Sequence, residues 1–296
     1  MLTENSKFDL GCGVDYTVTD PAVFDPAYPP EQFVTYFESH GSIVHATMWI
    51  ATGPEPKPCV IISPQIFGGD RLESLIIPLL NSGIHVCTFH PRGMWDGQHE
   101  FGFVSALEDI HAAVEFLCTS EKFDRRTTMG KPYRIDPKRI AVTGLSGGGG
   151  SLGLVSCAEN PNIHAVAAIA PGNFELNRGA DGIAPMREFF DAIKERSHGR
   201  IDLEAWLTKL SDADFDRISP ICQAGKLVDK PVLLVGGYRD VVTPIDVCHR
   251  PIAESIKTAG AKRFTEVILE SDHGFLTKRI ALARLIIAWL KAECGY

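Results

Sequence analysis

The sequence predicts an α/β protein whose core is a mostly parallel, eight-stranded sheet with helices on both faces. Short apolar runs rich in valine and isoleucine alternate with longer amphipathic runs along most of the chain. No internal repeat or low-complexity linker interrupts this alternation. The length of 296 residues is sufficient for one large core. We therefore expect a single domain over residues 1–296, with residues 1–30 as an N-terminal extension.

The first two predicted strands form a hairpin. Residues 32–38 and 43–51 flank Ser39-His40-Gly41-Ser42, a short polar turn typical of antiparallel pairing. The next six runs are short and apolar, which predicts buried parallel strands. They cover residues 59–63, 84–89, 139–143, 165–170, 231–235 and 264–269.

Amphipathic helices are predicted between these strands. One helical face carries Leu107, Ile110, Val114 and Leu117, and the last helix buries Leu282, Leu285, Ile286, Trp289 and Leu290.

The stretch between Ala170 and Pro231 is too long for a simple strand-to-strand connection. It predicts an insertion over about residues 172–220. Two helices of this insertion would form a lid or cap, or would pack on the sheet edge, and the sequence leaves both readings open. Their apolar faces are Met186, Phe189, Phe190 and Ile193, then Leu203, Trp206, Leu207 and Leu210.

Composition excludes several classes of function. With 29 basic and 37 acidic residues the net charge is −8, so the chain would repel a phosphate backbone, and no nucleic acid is expected as partner. The basic pairs Arg125-Arg126 and Lys138-Arg139 are interpreted as solvated loop charges. No apolar run is long enough to span a membrane, and eight scattered cysteines suit free thiols in a reducing, cytoplasmic compartment. No metal or organic cofactor is predicted, because the cysteines and histidines form no ligand-spaced cluster.

The strongest local motif follows the predicted strand 139–143. Gly144-Leu145-Ser146-Gly147-Gly148 is a G-x-S-x-G sequence between a strand and a helix-compatible segment. In such a turn the glycines avoid collisions and the serine hydroxyl is held clear of the sheet. The backbone N–H of Gly147 would lie where a tetrahedral intermediate carries negative charge. The motif predicts Ser146 as nucleophile and Gly147 as a donor of an oxyanion hole.

Two other readings of this motif are a glycine-rich turn without chemistry and a phosphate-binding loop. Gly148, Gly150 and Gly153 also fit G-x-G-x-x-G, but the first of them lies five residues beyond the strand end, and no Lys-Ser or Lys-Thr pair follows. The nucleophile reading is therefore favoured.

A serine nucleophile needs a base, and this motif predicts a carboxylate and then a histidine after later strands. Asp240 lies in a glycine-started loop after residues 231–235, and His273 lies in the loop after residues 264–269. Taken singly, Asp240 could cap the next helix and His273 could be an ordinary loop histidine. Their order and positions predict His273 as general base and Asp240 as the carboxylate that orients it. The competing residues are Asp246, Asp272 and His249.

Through GLSGG (144–148), GGYRDVVTP (236–244) and SDHGF (271–275), the chain resembles the α/β-hydrolase superfamily over about residues 30–293. Within it, residues 135–144 and 231–235 are similar to the dienelactone hydrolase and prolyl-oligopeptidase-like branches. The resemblance implies an α/β-hydrolase fold, and the predicted insertion would add a short helical lid to it. Serine at position 146 sets the chain apart from dehalogenases and epoxide hydrolases, which use aspartate, and from dienelactone hydrolase, which uses cysteine.

The resemblance also implies a second oxyanion donor in the loop that begins at Ser63. Pro64 has no N–H to donate, so Gln65 and Ile66 remain as alternatives. Arg92 resembles an arginine of the family whose role is structural.

The predicted activity is that of a serine esterase: cleavage of a carboxylic ester, lactone or related acyl bond of a small molecule. Phe67, Phe174 and Met186 are the candidate substrate-binding residues, and Arg178 or Arg187 could bind a substrate carboxylate or be solvated. Alternatives are an acyltransferase or carbon–carbon bond hydrolase with the same triad, and a non-catalytic binding protein. The expected partner is the acyl substrate, with no membrane, and a homo-oligomer is compatible with the sequence.

Overall fold

The computed structural model describes residues 14–64, 72–94, 101–119, 132–197 and 201–296. Within these ranges eight strands form one sheet in the order β1-β2-β4-β3-β5-β6-β7-β8. The predicted α/β fold with a mostly parallel, eight-stranded sheet is confirmed. The strands are β1 (Glu31–Ser39), β2 (Ser42–Ile50), β3 (Lys57–Ser63), β4 (His85–Phe89), β5 (Ile135–Leu145), β6 (Ala165–Ile169), β7 (Val232–Gly237) and β8 (Phe264–Leu269).

The sheet is mixed at one end. β1 and β2 form the predicted antiparallel hairpin, whose turn uses left-handed backbone at His40 (φ 48°) and Gly41 (φ 78°). β2 is also antiparallel to β4, whereas all pairs from β4 to β8 are parallel. The carboxyl ends of β5 to β8 therefore meet at one edge of the sheet, where ligand sites of such sheets lie.

The α-helices in the described ranges cover both faces of the sheet. They are α1 (Ile76–Asn81), α2 (Phe103–Cys118), α3 (Leu152–Glu159), α4 (Gly179–Ile183), α5 (Arg187–Arg196), α6 (Leu203–Lys209), α7 (Asp212–Ile218), α8 (Pro220–Gln223), α9 (Arg250–Thr258) and α10 (Arg279–Cys294). None of them combines the length and apolar composition that crossing a bilayer requires.

Two apolar clusters, one on each face, form the core. Successive side chains of a strand point to opposite faces, so Cys59 and Ile61 of β3 pack with α2 and α3, while Val60 and Ile62 pack with α1 and α10. Every residue of β3 and β6 is buried. β8 differs from the prediction of a fully buried strand, since only Val267 is buried. The physical reason is its edge position, with a neighbouring strand on one side alone.

The segment predicted as an insertion contains more helix than expected, namely α4 to α7 and the start of α8. Leu203, Trp206 and Leu207 are buried as the spacing predicts. The prediction for the preceding helix is partly wrong, because Phe190 and Ile193 are buried but Phe189 is 39% exposed. Met186 lies in a short 3-10 turn before α5. The predicted α-helical spacing from Met186 to Ile193 therefore does not hold at Met186.

Candidate active site

Ser146 directly follows β5 on a strained turn. Its backbone has φ 69° and ψ −169°, a combination that costs free energy for any residue with a side chain and that occurs mostly at functional sites. The turn is also tightly packed, because a methyl group on Gly144 would lie 2.4 Å from the carbonyl carbon of Gly149. Only glycine fits at position 144, and the chain there reverses from strand to helix within a few residues. Ser146 is thereby held half-buried at the carboxyl edge of the sheet.

The backbone after Ser146 winds into a helical turn, Gly147–Ser151, that continues as α3. The N–H of Gly147 lies at the amino end of this turn, where the peptide dipoles present partial positive charge. The Ser151 hydroxyl donates a 2.7 Å hydrogen bond to the carbonyl of Gly172, which ties the segment after β6 to the turn. A methyl group on Gly147 would lie 3.5 Å from the ring of Phe174. The predicted binding residue Phe174 thus lies beside the predicted oxyanion donor.

The carboxylate of Asp240 is fully buried and accepts four hydrogen bonds. Backbone N–H groups of Val242 and Thr243 donate to Oδ1 at 2.8 Å each, the Thr243 hydroxyl donates to Oδ2 at 2.7 Å, and His273 Nδ1 is 2.7 Å from Oδ2. Burial by itself raises the pKa of Asp240, but the hydrogen bonds from His273 and Thr243 outweigh it and lower that pKa. Asp240 is therefore an anion at neutral pH, and it caps its own loop while it holds the histidine.

This contact sets the tautomer of His273. An ionised carboxylate only accepts hydrogen bonds, so Nδ1 carries the proton and the neutral ring leaves Nε2 as an acceptor. The side chain is 12% exposed. An imidazole in this state can take a proton at Nε2 from a hydroxyl group.

The loop that carries His273 is anchored by residues that precede and follow the histidine in the sequence. Asp272 accepts hydrogen bonds from the N–H of Leu276 at 3.0 Å and the hydroxyl of Ser271 at 3.2 Å, so this competitor of Asp240 is used in a local turn. Phe275 is fully buried and adopts a left-handed backbone conformation, with φ 53°.

The other two competitors lie outside this constellation. His249 is buried, and its Nε2 lies 3.0 Å from Oε1 of Glu266. Hydrogen bonds from His249 and Lys257 hold the pKa of Glu266 at about 2. Asp246 is exposed and pairs with Arg250.

Three predicted residues, Gln65, Ile66 and Phe67, lie outside the described residues. Met186 is half-buried and packs against the core cluster that includes α2. The structure thus brings Asp240 and His273 into contact and places Phe174 at Gly147.

The arginines discussed from the sequence have carboxylate partners within the chain. Arg92 donates from Nε to the buried Asp109 at 2.6 Å, in agreement with a structural role. Arg178 donates to Glu175 at 3.0 Å and to Asp216 at 2.6 Å. Arg187 donates to Glu204 at 3.1 Å.

Glu175, Asp216 and Cys222 offer ligand atoms within 4.8 Å of one another. Arg178 already donates hydrogen bonds to both carboxylates. We therefore interpret this cluster as an ion-pair network and not as a metal site.

Sequence reasoning missed Thr243, which contacts both ends of the acid–histidine pair. Its hydroxyl lies 2.7 Å from Asp240 Oδ2, 3.3 Å from His273 Nδ1 and 3.1 Å from the carbonyl of Ala170. The D-x-x-T spacing of Asp240 and Thr243 is a capping pattern and was the available signal.

Four buried aromatic side chains link the turn after Ser146 to the predicted insertion. The ring centroids of Phe174 and Phe103 are 4.7 Å apart, those of Phe103 and Phe101 are 6.1 Å apart, and those of Phe101 and Trp206 are 4.6 Å apart. We call these four residues the aromatic chain. These rings form one apolar wall. They come from the start of α2 and the loop before it, from the segment after β6, and from α6.

Comparison with known proteins gives a family and a fold. The model of the prolyl oligopeptidase family matches residues 75–295. No curated protein matches the sequence.

Among solved structures, the chain is similar to Pyrococcus horikoshii acylaminoacyl peptidase, with 18% identity and a TM-score of 0.63 over 89% of this chain and 41% of that one. It is similar to a puromycin-hydrolyzing peptidase of Mycobacterium tuberculosis, with 20% identity and a TM-score of 0.60 over 90% of this chain and 39% of that one. The Pyrobaculum calidifontis esterase shares 19% identity and a TM-score of 0.61, over 91% of this chain and 88% of the esterase. The chain thus spans about two fifths of the length of these peptidases and most of the length of the esterase.

Proposed function

Because the chain belongs to the prolyl oligopeptidase family, and is therefore a serine hydrolase of the α/β-hydrolase superfamily, we propose that it cleaves a carboxylic ester, lactone or related acyl bond with Ser146, His273 and Asp240 as catalytic triad. The observation that carries this proposal is the 2.7 Å contact between His273 Nδ1 and a buried, ionised Asp240. It gives the histidine the tautomer that a general base requires.

In the proposed reaction, the Ser146 oxygen attacks the acyl carbon while His273 Nε2 takes the hydroxyl proton. The negative charge of Asp240 stabilises the imidazolium that forms. His273 then gives its proton to the leaving group, and the acyl-enzyme remains on Ser146. Water, deprotonated by the same imidazole, attacks the acyl-enzyme and releases the acid.

The oxyanion of the tetrahedral intermediate would accept a hydrogen bond from the Gly147 N–H. We propose the backbone N–H of Gln65 or Ile66 as the second hydrogen-bond donor to this oxyanion. One such donor contributes on the order of 3 kcal/mol to transition-state stabilisation. The strained backbone at Ser146 supports this role, because it fixes the hydroxyl and the Gly147 N–H in one rigid turn.

We propose that Phe174 forms a wall of the acyl pocket, with Phe67 and Met186 as further binding residues. An aromatic ring beside the oxyanion donor favours a neutral, apolar acyl group over a polyanion. Residues 172–220 are proposed to act as a cap that is docked by Trp206 against Phe101 and by Phe174 against Phe103. The buried free thiols of Cys59, Cys87 and Cys157 support a reducing, cytoplasmic setting.

A second candidate activity is peptide-bond hydrolysis. The family match and the likeness to an acylaminoacyl peptidase favour it, and the triad chemistry is the same for amides and esters. Comparing kcat/KM for 4-nitrophenyl esters with that for aminoacyl and acylaminoacyl 4-nitroanilides separates the two. Adding alcohol acceptors to the ester assay tests the acyltransferase alternative, because transfer would give a new ester in place of the acid.

The proposed nucleophile is tested with a fluorophosphonate probe followed by peptide mass spectrometry. We expect the adduct on Ser146. Ser146→Ala should fold normally, lose labelling, and lose as much as ~10⁶ in kcat, as when the nucleophile of a serine hydrolase is removed. The matched control is Ser156→Ala, on α3, whose hydroxyl bonds locally to the carbonyl of Gly153, and it should keep labelling and turnover. Near-normal ester hydrolysis by folded Ser146→Ala would refute the proposal, and failure of the wild type to label would favour the binding-only reading.

A further inference from the structure

A cavity of about 280 Å³ opens at the amino-terminal edge of the parallel strands. Its lining includes Lys138 near the start of β5, and residues that directly precede β6, β7 and β8. Lys138 and Ser146 lie toward opposite ends of β5, roughly 25 Å apart at a rise of ~3.3 Å per residue. The cavity is therefore separate from the proposed acyl site.

The wall of this cavity is cationic. Lys138, Lys230 and Arg263 contribute its positive charges, and His164 lies among them. The acidic lining residue, Asp229, is already paired, with its carboxylate 2.7 Å from Nζ of Lys262. On a chain with net charge −8, this is a local excess of positive charge.

One of these cations, Lys230, is held in place without being neutralised. The Lys230 ammonium donates to the backbone carbonyl of Ile163 at 2.6 Å, to that of Pro161 at 3.3 Å and to that of Asn160 at 3.5 Å. Carbonyl groups orient the ammonium but carry no net charge. Arg263 forms an ion pair with Glu293, with 3.7 Å between Nε and the carboxylate, a distance too long for a hydrogen bond.

The rim of the cavity is stiff. Pro137, Pro161 and Pro231 lie on it, and the proline ring fixes the backbone φ angle at each position. Pro231 also accepts the backbone hydrogen bond of Val166, which ties the rim to β6. A ligand would enter a site whose backbone is already formed, so little ordering entropy is lost on binding.

The charge at this cavity acts on His164. Burial lowers the pKa of His164, and the positive charges of Arg263 and Lys230 lower it further. The His164 ring also lies 6.4 Å, between centroids, from the ring of Tyr296. A bound dianion would reverse the effect of the two cations, because it stabilises the imidazolium form.

We propose that this cavity binds the phosphate group of a small molecule. Arginine and lysine side chains are the groups that recognise phosphate oxygens, by hydrogen bonding from the guanidinium and by the compact charge of the ammonium. The volume of about 280 Å³ suits a small phosphorylated compound. The site lies far from Ser146, so its ligand is not the substrate of the proposed hydrolysis.

The test is an NMR titration of the histidine side chains with inorganic phosphate, compared with sodium chloride at the same ionic strength. His164→Asn identifies the His164 signal. We expect phosphate, and not chloride, to raise the titration midpoint of His164, with saturation at or below about 10 mM. Arg263→Gln should weaken this response at least tenfold, whereas Arg284→Gln, which removes the same charge from a residue paired with Asp15, should leave it unchanged.

Equal shifts in phosphate and chloride, or an unchanged response in Arg263→Gln, would overturn the proposal. Ser146→Ala should bind phosphate like the wild type. The outcome at this cavity is therefore independent of the outcome at the proposed catalytic serine.

Discussion

Asp240 illustrates how one buried side chain can hold a loop and a histidine together. Its Oδ1 accepts both backbone hydrogen bonds of the turn, which leaves Oδ2 for His273 and Thr243. Because every acceptor position has a partner, the carboxylate can stay charged in a buried place. The local turn therefore orients the carboxylate, and the carboxylate orients the histidine of the next strand-end loop.

Replacement of Asp240 by asparagine should reduce kcat by about 10⁴, the loss typical of an acid removed from such a triad. The amide group can donate to Nδ1, which stabilises the tautomer with the proton on Nε2, and that tautomer cannot accept a proton from Ser146. Steady-state kinetics on the best ester substrate would measure the effect. An unchanged kcat would show that Asp240 does not orient the base.

Thr243 is a positioning residue for the same pair. Thr243→Val removes the 2.7 Å hydrogen bond to Asp240 and leaves the carboxylate under-satisfied, at a cost of about 1 to 3 kcal/mol. We expect kcat to fall about tenfold with a smaller change in KM, since the acid and not the substrate is disturbed. Thr243→Ser keeps the hydroxyl and should restore kcat. Equal kinetics for the valine and serine variants would contradict this role.

Between elements, the aromatic chain connects α6 to the turn after Ser146. Trp206 is 7% exposed, and its indole ring packs on Phe101, two residues before the start of α2 at Phe103. Dense aromatic packing of this kind transmits a change of volume to its neighbours. The position of Phe174 beside Gly147 therefore depends on how α6 docks.

Trp206→Leu should alter selectivity more than basal chemistry. Loss of ring volume lets Phe174 shift and widens the proposed acyl pocket, so the kcat/KM ratio of long-chain to short-chain nitrophenyl esters should rise several-fold. Phe189→Leu, at an exposed position of α5, is the matched control and should leave the ratio unchanged. Trp206→Phe keeps a ring at this position and should behave like the wild type. A parallel loss of activity on all esters would mean that Trp206 acts on stability alone.

For the molecule as a whole, stability toward acid depends on a histidine far from the site. His85 on β4 is fully buried; Nδ1 accepts the N–H of Ala51 at 3.0 Å, and Nε2 lies 3.1 Å from the carbonyl of Arg134. This pair of contacts needs the neutral ring with its proton on Nε2, and burial lowers the pKa of His85 to about 4. The unfolded chain takes up this proton near pH 6.5.

Between pH 6.5 and 4 the unfolded state therefore binds more protons at His85 than the folded state, and the free energy of unfolding falls as the pH falls. From pH 7 to pH 5 this residue alone should lower it by about 2 kcal/mol. Urea unfolding at both pH values measures the change. His85→Gln keeps a donor and an acceptor but does not titrate, so its pH dependence should be weaker by that amount. An equal pH dependence in both proteins would contradict the assignment.

The family and most of the fold could be predicted from the sequence. Hydrophobic periodicity located the hairpin, the six apolar runs and both large helices. Burial of one or both faces of an element requires apolar residues at a regular spacing, and this spacing is visible in the sequence. G-x-S-x-G was also readable, since the close approach of Gly144 to Gly149 admits glycine alone. β8 was predicted wrongly as a buried strand, because its place at the edge follows from the order of strands in the folded sheet.

The sequence by itself thus determined the α/β-hydrolase fold, the membership of a serine hydrolase family and the order of the candidate residues. Only the tertiary structure decided that Asp240, and not Asp272 or Asp246, meets His273, that Thr243 joins this pair, and that Trp206 reaches the site through Phe101. These contacts connect residues from separate strand-end loops and helices. Their distances depend on sheet order and packing, which no local spacing along the chain encodes.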